Sequence, residues 1–122
     1  MTLFNIASTV NERFPNTDIT EICQIVNELE FRLVNEIFSP HGIEARTEKL
    51  NPEADIHTAF VLGDEYLSLY LNFLFSILSL KELDFDAANV YSAAFNQSFS
   101  ELSALYRRNN TPIKNTLLRG GI

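Results

Sequence analysis

Residues 66–80 read YLSLYLNFLFSILSL, a stretch with eleven large apolar side chains and no charge. A helix of fifteen residues spans about 22 Å, whereas the core of a bilayer is about 30 Å thick and needs about twenty apolar residues. Charged residues bound the stretch on both sides, at Asp64 and Glu65 and at Lys81 and Glu82. We therefore expect a helix that is covered by protein and does not cross a membrane.

The few polar residues of this stretch share one face, because Ser68, Asn72, Ser76 and Ser79 recur at helical spacing. Every other face is apolar, and a helix that is apolar over most of its circumference must be covered on most sides. Other helices of the same chain or a neighbouring subunit could provide that cover. Ten phenylalanines and four tyrosines slightly favour an interface, where aromatic residues are enriched.

The hydrophobic pattern elsewhere predicts an all-α fold, a four-helix bundle-like domain with a long central loop and an extended C-terminal tail. Helix ends are predicted from side chains that cap the first turn and from prolines that stop a helix. The predicted helices are about 3–14, 18–38, 64–80 and 86–108, within a domain 1–109 that contains the loop 39–63 and is followed by a flexible tail 110–122. The predicted caps are Thr2, Asp18 or Thr17, Asp64, and Asp84 or Asp86 in that order. The spacing of Glu28 and Arg32 predicts an ion pair on the second helix.

Residues 43–62 show no helical period. Ile43, Ala45 and Thr47 alternate with charged residues, which favours a short strand or an extended arm. Loops of about twenty residues are uncommon in compact domains and are usually functional, disordered or bound to a partner. We therefore expect this segment to contact other subunits, and we expect proteases to cut it early in the free chain.

Charge is distributed unevenly along the chain. Residues 1–101 hold all sixteen acids and five of the nine bases, a net charge of −11, whereas four bases and no acid lie in the last 21 residues. An acidic body argues against sequence-specific or generic nucleic-acid binding. The basic end either meets an acidic surface, such as one on another copy, or is simply solvated. The predicted partner-binding residues are Arg107, Arg108, Lys114 and Arg119, together with Ile43, Ala45 and Thr47.

No catalytic, metal-binding or cofactor-binding pattern is present, so we expect no enzyme and no cofactor. His57 with Glu53 and Asp55 is a weak cluster on a loop, far from the three or four convergent ligands of a metal site. Cys23, the only cysteine, lies on an apolar stripe and is predicted to be structural. The N-terminal residues lack the pattern of a signal peptide, which predicts a cytoplasmic origin.

One region resembles a known family. The runs GDEYLSLYLNFLFSIL and KELDFDAANVYSAAFNQSFSELSAL are similar to small virion proteins of tailed phages, of the head–tail connector (adaptor) type. The resemblance covers residues 64–105 best and residues 3–38 loosely. It is carried by Asp64-Glu65-Tyr66 before an apolar helix, by Ala87-Ala88, Tyr91, Phe95-Asn96 and Leu102, and by Ile25-Val26-Asn27-Glu28-Leu29.

This resemblance implies a helical structural subunit that joins a ring, commonly about a dodecamer, between portal and tail proteins. DNA would pass through the bore, and the protein would be found in the virion and, during assembly, in the host cytoplasm. An extended loop and a C-terminal tail would reach neighbouring subunits or the portal. The alternative is a small helical regulatory or accessory protein, such as an immunity or anti-host factor, that acts as a monomer or dimer.

Overall fold

The computed structural model describes residues 1–109, and this part of the chain is all-α. It contains no strand, so residues 43–47 do not form the short strand that was one possibility for them. The predicted tail 110–122, with Lys114 and Arg119, lies outside the described residues. The four α-helices are α1 (Leu3–Arg13), α2 (Ile19–Leu33), α3 (Leu67–Lys81) and α4 (Phe85–Asn109).

Side-chain caps begin three of these helices. Thr2, Asp18 and Asp84 each accept a hydrogen bond from the backbone amide three residues further along. Such a bond satisfies one of the amides that the first turn of a helix leaves without a partner. These bonds confirm Thr2 as the cap of α1 and Asp18 as the cap of α2. Of the two residues predicted as possible caps of α4, Asp84 and Asp86, it is Asp84 that caps the helix.

The prediction that Asp64 caps α3 is wrong. Asp64–Tyr66 forms a 3₁₀ turn, and α3 begins after it at Leu67 with no side-chain cap. The Asp64 carboxylate instead pairs with the amino group of Met1 at 2.8 Å. The ion pair draws this carboxylate toward α1 and away from the amides of the first turn of α3.

The end of α2 also differs from the sequence expectation. The α-helix stops at Leu33, and the chain continues as a π-helix over Val34–Phe38 and a 3₁₀ turn over Ser39–His41. Gly42 then ends the turn with a φ of +70°, in the left-handed region that glycine adopts without steric cost.

The predicted ion pair between Glu28 and Arg32 is not formed. Arg32 pairs with Glu36 instead, at 3.1 Å. Its guanidinium also lies over the rings of Phe95 and Phe99, 5.4 and 4.7 Å from their centroids. Contact with these α4 rings holds the side chain toward the C-terminal part of α2, where Glu36 is the nearer partner.

The apolar helix α3 is the centre of the core. It packs mainly against α4 and also against α2 and α1, and Tyr70, Leu74 and Leu78 are fully buried. Ring pairs join α3 to α4 at centroid distances of 5.0 and 5.3 Å, namely Phe73 with Phe95 and Phe75 with Tyr91. The chain therefore buries one side of α3, whereas Leu71, Phe73, Phe75 and Ile77 are only partly buried.

Segment 43–62 packs against the helices of its own chain, whereas the sequence predicts a segment that reaches other subunits. Asn27 of α2 holds the backbone of Leu50 with both ends of its amide: Nδ2 donates to the Leu50 carbonyl at 3.1 Å, and Oδ1 accepts from the Leu50 amide at 2.8 Å. The Phe60 amide donates to the Met1 carbonyl at 2.8 Å. Leu50, Phe60 and Leu62 are buried, so the segment adds to the core of the domain.

We predict that Asn27→Ala loosens this segment. The change removes both hydrogen bonds between the Asn27 amide and Leu50. The part-buried amide and carbonyl of Leu50 then lack a partner, which costs about 1–3 kcal/mol of unfolding free energy. Denaturant titration should show that loss, and limited proteolysis should show faster cleavage within 43–62. Gln24→Ala, an exposed position one turn earlier on α2, is the control. Equal cleavage rates in the two variants would contradict the role of Asn27.

Candidate functional site

A buried carboxylate lies where three parts of the fold meet. Glu30 of α2 is only 4% exposed. Its Oε2 accepts hydrogen bonds from the Tyr70 hydroxyl and the Val61 amide, both at 2.7 Å. Its Oε1 pairs with the Arg46 guanidinium at 2.5 Å. The carboxylate thus joins α2, α3 and both ends of segment 43–62.

Glu30 is not among the site residues predicted from the sequence. The signal was present, because Glu30 occupies the middle of a series with alternating spacings of three and four that also contains Cys23, Val26, Leu33 and Ile37. These four neighbours are buried. A charged residue on such a stripe must be paired when it is buried, so the position itself predicts a partner, although not which one.

The network around Glu30 is fully satisfied. The Tyr70 hydroxyl also accepts a hydrogen bond from the Leu62 amide at 3.4 Å. Burial raises the pKa of Tyr70 well above its ordinary value, and the charge of Glu30 raises it further. The phenol therefore stays protonated and donates to the carboxylate. Since no buried side-chain polar atom among residues 1–109 lacks a partner, every buried polar group of this network contributes to holding the fold together.

A half-open cleft lies beside this network, between the outer face of α2 and residues 46–49. Its volume is about 960 Å³. The lining includes Asn27, Phe31, Arg46, Glu48, Lys49 and Phe73. Charges of both signs and an exposed ring at Phe31 suit a peptide better than a small ion of either charge.

The residues considered for chemistry are not assembled into a site. Among residues 1–109, no three His, Cys, Asp or Glu side chains are grouped closely enough to hold a metal ion. The ring of His57 lies against that of Phe4, 5.1 Å between centroids. Cys23 is buried, its Sγ donates to the Leu50 carbonyl, and burial raises the pKa of its thiol. That environment suppresses the reactive thiolate.

No described helix is both long enough and apolar enough to span a membrane.

Exposed apolar side chains occur at the end of α3, in the turn after it and at the start of α4, and we call this stretch the tip. It consists of Leu80, Leu83, Phe85 and Val90, each more than half exposed. Four of the seven large apolar side chains that the described chain exposes are therefore within eleven consecutive residues. Concentrated apolar surface of this kind typically marks an interaction site.

The backbone of the tip is strained at Leu83. The Asp84 amide donates to the Ser79 carbonyl and the Leu83 amide to the Leu80 carbonyl, the two bonds of a Schellman helix end. Leu83 has a φ of +62° and is the only described residue other than glycine with a positive φ. The left-handed conformation costs a residue with a Cβ about 1–2 kcal/mol, and Leu83, 72% exposed, recovers little of this by burial.

The predicted partner-binding residues lie in separate places. Ile43 and Ala45 are partly buried and pack against the core of their own chain, whereas Thr47 is exposed and lines the cleft. Arg107 and Arg108 are exposed at the C-terminal end of α4. The structure does not bring these groups together, and the tip, which lies at the opposite end of α4 from the arginines, was absent from the prediction.

We predict that Glu30→Ala strongly destabilises the protein. The change leaves Arg46, the Tyr70 hydroxyl and the Val61 amide without their shared acceptor, and breaking a buried ion pair from one side costs about 3–5 kcal/mol. Glu36→Ala is the control, because it removes an exposed pair with Arg32 that contributes at most about 1 kcal/mol. Chemical denaturation measures both losses. Similar losses in the two variants would contradict the central role of Glu30.

We also predict an alkaline loss of stability that depends on Tyr70. Folding raises the pKa of Tyr70 above the ordinary tyrosine value of 10.0. The protonated hydroxyl therefore contributes its full share of the unfolding free energy below that pH. The contribution is lost as the pH rises, because the unfolded chain releases the proton first. Unfolding free energy should fall by up to about 1.4 kcal/mol per pH unit above that value from this group. Tyr70→Phe should show a shallower decline from a lower starting stability. Identical slopes in both proteins would contradict the assignment.

A comparison of the chain with protein-family models, with curated proteins and with solved structures finds no match. Membership of a family therefore does not follow from these comparisons.

Proposed function

We propose that this chain is a structural subunit of a phage head–tail connector, which assembles with copies of itself into a ring between portal and tail around the DNA channel. The subunit would be a four-helix bundle-like domain with an extended C-terminal tail. It would need no cofactor and would carry out no catalysis. The observation that carries this proposal is the tip, because it is apolar surface that the fold builds and leaves uncovered.

The tip supports an assembly role for an energetic reason. Burying a leucine or phenylalanine side chain fully contributes about 1.5–3 kcal/mol, and the core of residues 1–109 already buries many such side chains. Four large apolar residues between positions 80 and 90 forgo much of that gain in the isolated chain. A partner that covers the tip would recover it.

The charge of the body agrees with a position beside DNA. The net charge of −11 over residues 1–101 repels phosphate groups. A ring lined by such surface would let DNA pass without holding it. The same charge is consistent with the expectation that the protein reads no nucleic-acid sequence.

The residues that carry the resemblance occupy structural positions. Ala88, Phe95 and Leu102 are the buried residues of α4, and Tyr91 packs against Phe75 of α3. The shared pattern therefore describes how α3 and α4 pack into a helical pair. This supports a common helical scaffold and leaves the surfaces of that scaffold to define the partner.

The cleft beside α2 favours the alternative, a small helical regulatory or accessory protein. A concavity of about 960 Å³ with an exposed aromatic ring fits a segment of a target protein. In this alternative the cleft would be the functional surface. A connector subunit would use the tip instead.

Purified virions provide the test of the proposed function. In the virus whose genome encodes this chain, quantitative mass spectrometry should find the protein in mature particles in a copy number comparable to that of the portal protein. Disruption of the gene should leave filled heads without attached tails. A protein that is produced during infection but is absent from virions would contradict the proposal and favour the regulatory alternative.

A further inference from the structure

The apolar tip is bordered by acidic residues. Glu82, Asp84 and Asp86 alternate with Leu83 and Phe85 along the turn. Asp84 is engaged as the cap of α4, whereas within residues 1–109 Glu82 and Asp86 have no ion-pair partner. The tip therefore suits a partner surface that is both apolar and basic.

The C-terminal part of this same chain has that composition. Arg107 and Arg108 are exposed and form no ion pair within the described residues. The sequence that follows, NTPIKNTLLRGGI over residues 110–122, adds two bases and four large apolar residues and contains no acid. The complementary residues within 107–119 are Arg107, Arg108, Lys114 and Arg119 with Ile113, Leu117 and Leu118.

We propose that the tip of one copy binds the basic, apolar C-terminal segment 107–119 of a second copy. Leu83 and Phe85 would be covered by apolar residues of that segment. Glu82 and Asp86 would pair with its arginines and lysine. This inference rests on the proposed self-assembly and names the two surfaces that meet.

Chain length favours a second copy over the same copy. Leu83 and Phe85 of the tip lie at the opposite end of α4 from Asn109, and 25 residues at a rise of 1.5 Å make this helix about 38 Å long. From Asn109 to Leu117, eight fully extended residues reach at most about 28 Å. Leu117 and Leu118 therefore fall short of Leu83 and Phe85 of their own chain.

The strained backbone at Leu83 has an explanation in this arrangement. The chain uses glycine at the equivalent position of its other Schellman end, where Gly42 has a φ of +70° and the Ile43 and Gly42 amides donate to Phe38 and Ser39. Glycine would also fit the backbone at 83. A leucine there disfavours the isolated chain and becomes favourable once its side chain is buried by a partner.

The resulting contact is of the head-to-tail type. The tip lies at the start of α4 and the basic segment at its end, so each copy offers one surface of each kind. An interface of this type joins two different patches, and it closes into a ring when the rotation between neighbours permits. The ring of the proposed function would be built from a single repeated contact.

Cross-linking between two populations of the chain tests the pairing. One population carries Leu83→Cys, the other carries Leu117→Cys with a larger tag, and a short bismaleimide is added to the mixture. The native Cys23 is buried and should react little. We expect a covalent species that contains one copy of each population, and no intrachain link in a chain that carries both substitutions.

The matched control uses Phe31→Cys in place of Leu83→Cys, because the two positions are equally exposed, at 71% and 72%. It should give little product with Leu117→Cys. No product from the Leu83→Cys mixture, equal product from the control, or an intrachain link in the doubly substituted chain would each overturn the proposal.

Leu83→Gly separates assembly from folding. The change removes the backbone strain at residue 83 and should raise the thermal unfolding midpoint by a few degrees. In a domain of this size, each kcal/mol of added unfolding free energy raises the midpoint by about 4–8 °C. It should also weaken self-association, measured by sedimentation at several concentrations, by about tenfold or more. A more stable variant that associates as well as the wild type would contradict a role for the Leu83 side chain.

Failure of this inference is distinguishable from failure of the proposed function. If virions contain the protein but the Leu83–Leu117 cross-link does not form, the connector role stands and the tip–segment contact is wrong. If the cross-link forms but virions lack the protein, copies associate as proposed in a protein of another function.

Discussion

The buried carboxylate of Glu30 is the interaction on which the rest of the structure depends. A charge inside an apolar core is costly unless it is paired and hydrogen-bonded, and here Arg46, the Tyr70 hydroxyl and the Val61 amide all converge on it. Two of these partners belong to segment 43–62 and one to α3. Satisfying a single charge on α2 therefore fixes how the long segment lies against the helices.

Once segment 43–62 is fixed in this way, the surfaces available for assembly are restricted. The segment contributes buried residues to its own core and is poorly suited to act as an arm. The middle of α3 packs against α4 and α2, which bury Tyr70 and Leu74 fully. The apolar surface that remains is concentrated at the turn from α3 to α4, where Leu83 is strained and exposed. This is why we place the contact between copies at the tip.

Much of the helical fold was predictable from local signals. Apolar spacing located the four helices, and short polar side chains located the caps at Thr2 and Asp18, because both effects act within one or two turns. The role of Asp64 was missed, since its partner is the distant Met1 amine. The Glu30 network and the anchoring of Leu50 by Asn27 depend on contacts between residues sixteen or more positions apart. Spacing alone does not specify such pairs. The tip was missed because LKELDF reads as an ordinary polar turn until exposure and φ are known.

Hydrogen exchange measured at low and high protein concentration tests most directly which surface the copies share. Amides that are buried by assembly exchange more slowly as concentration rises. We expect added protection over residues 80–90 and over the C-terminal segment, with no change in residues 43–62, which are already held within each copy. Added protection that is confined to residues 43–62 and the α2 cleft, with unchanged exchange over residues 80–90, would contradict a contact between copies at the tip.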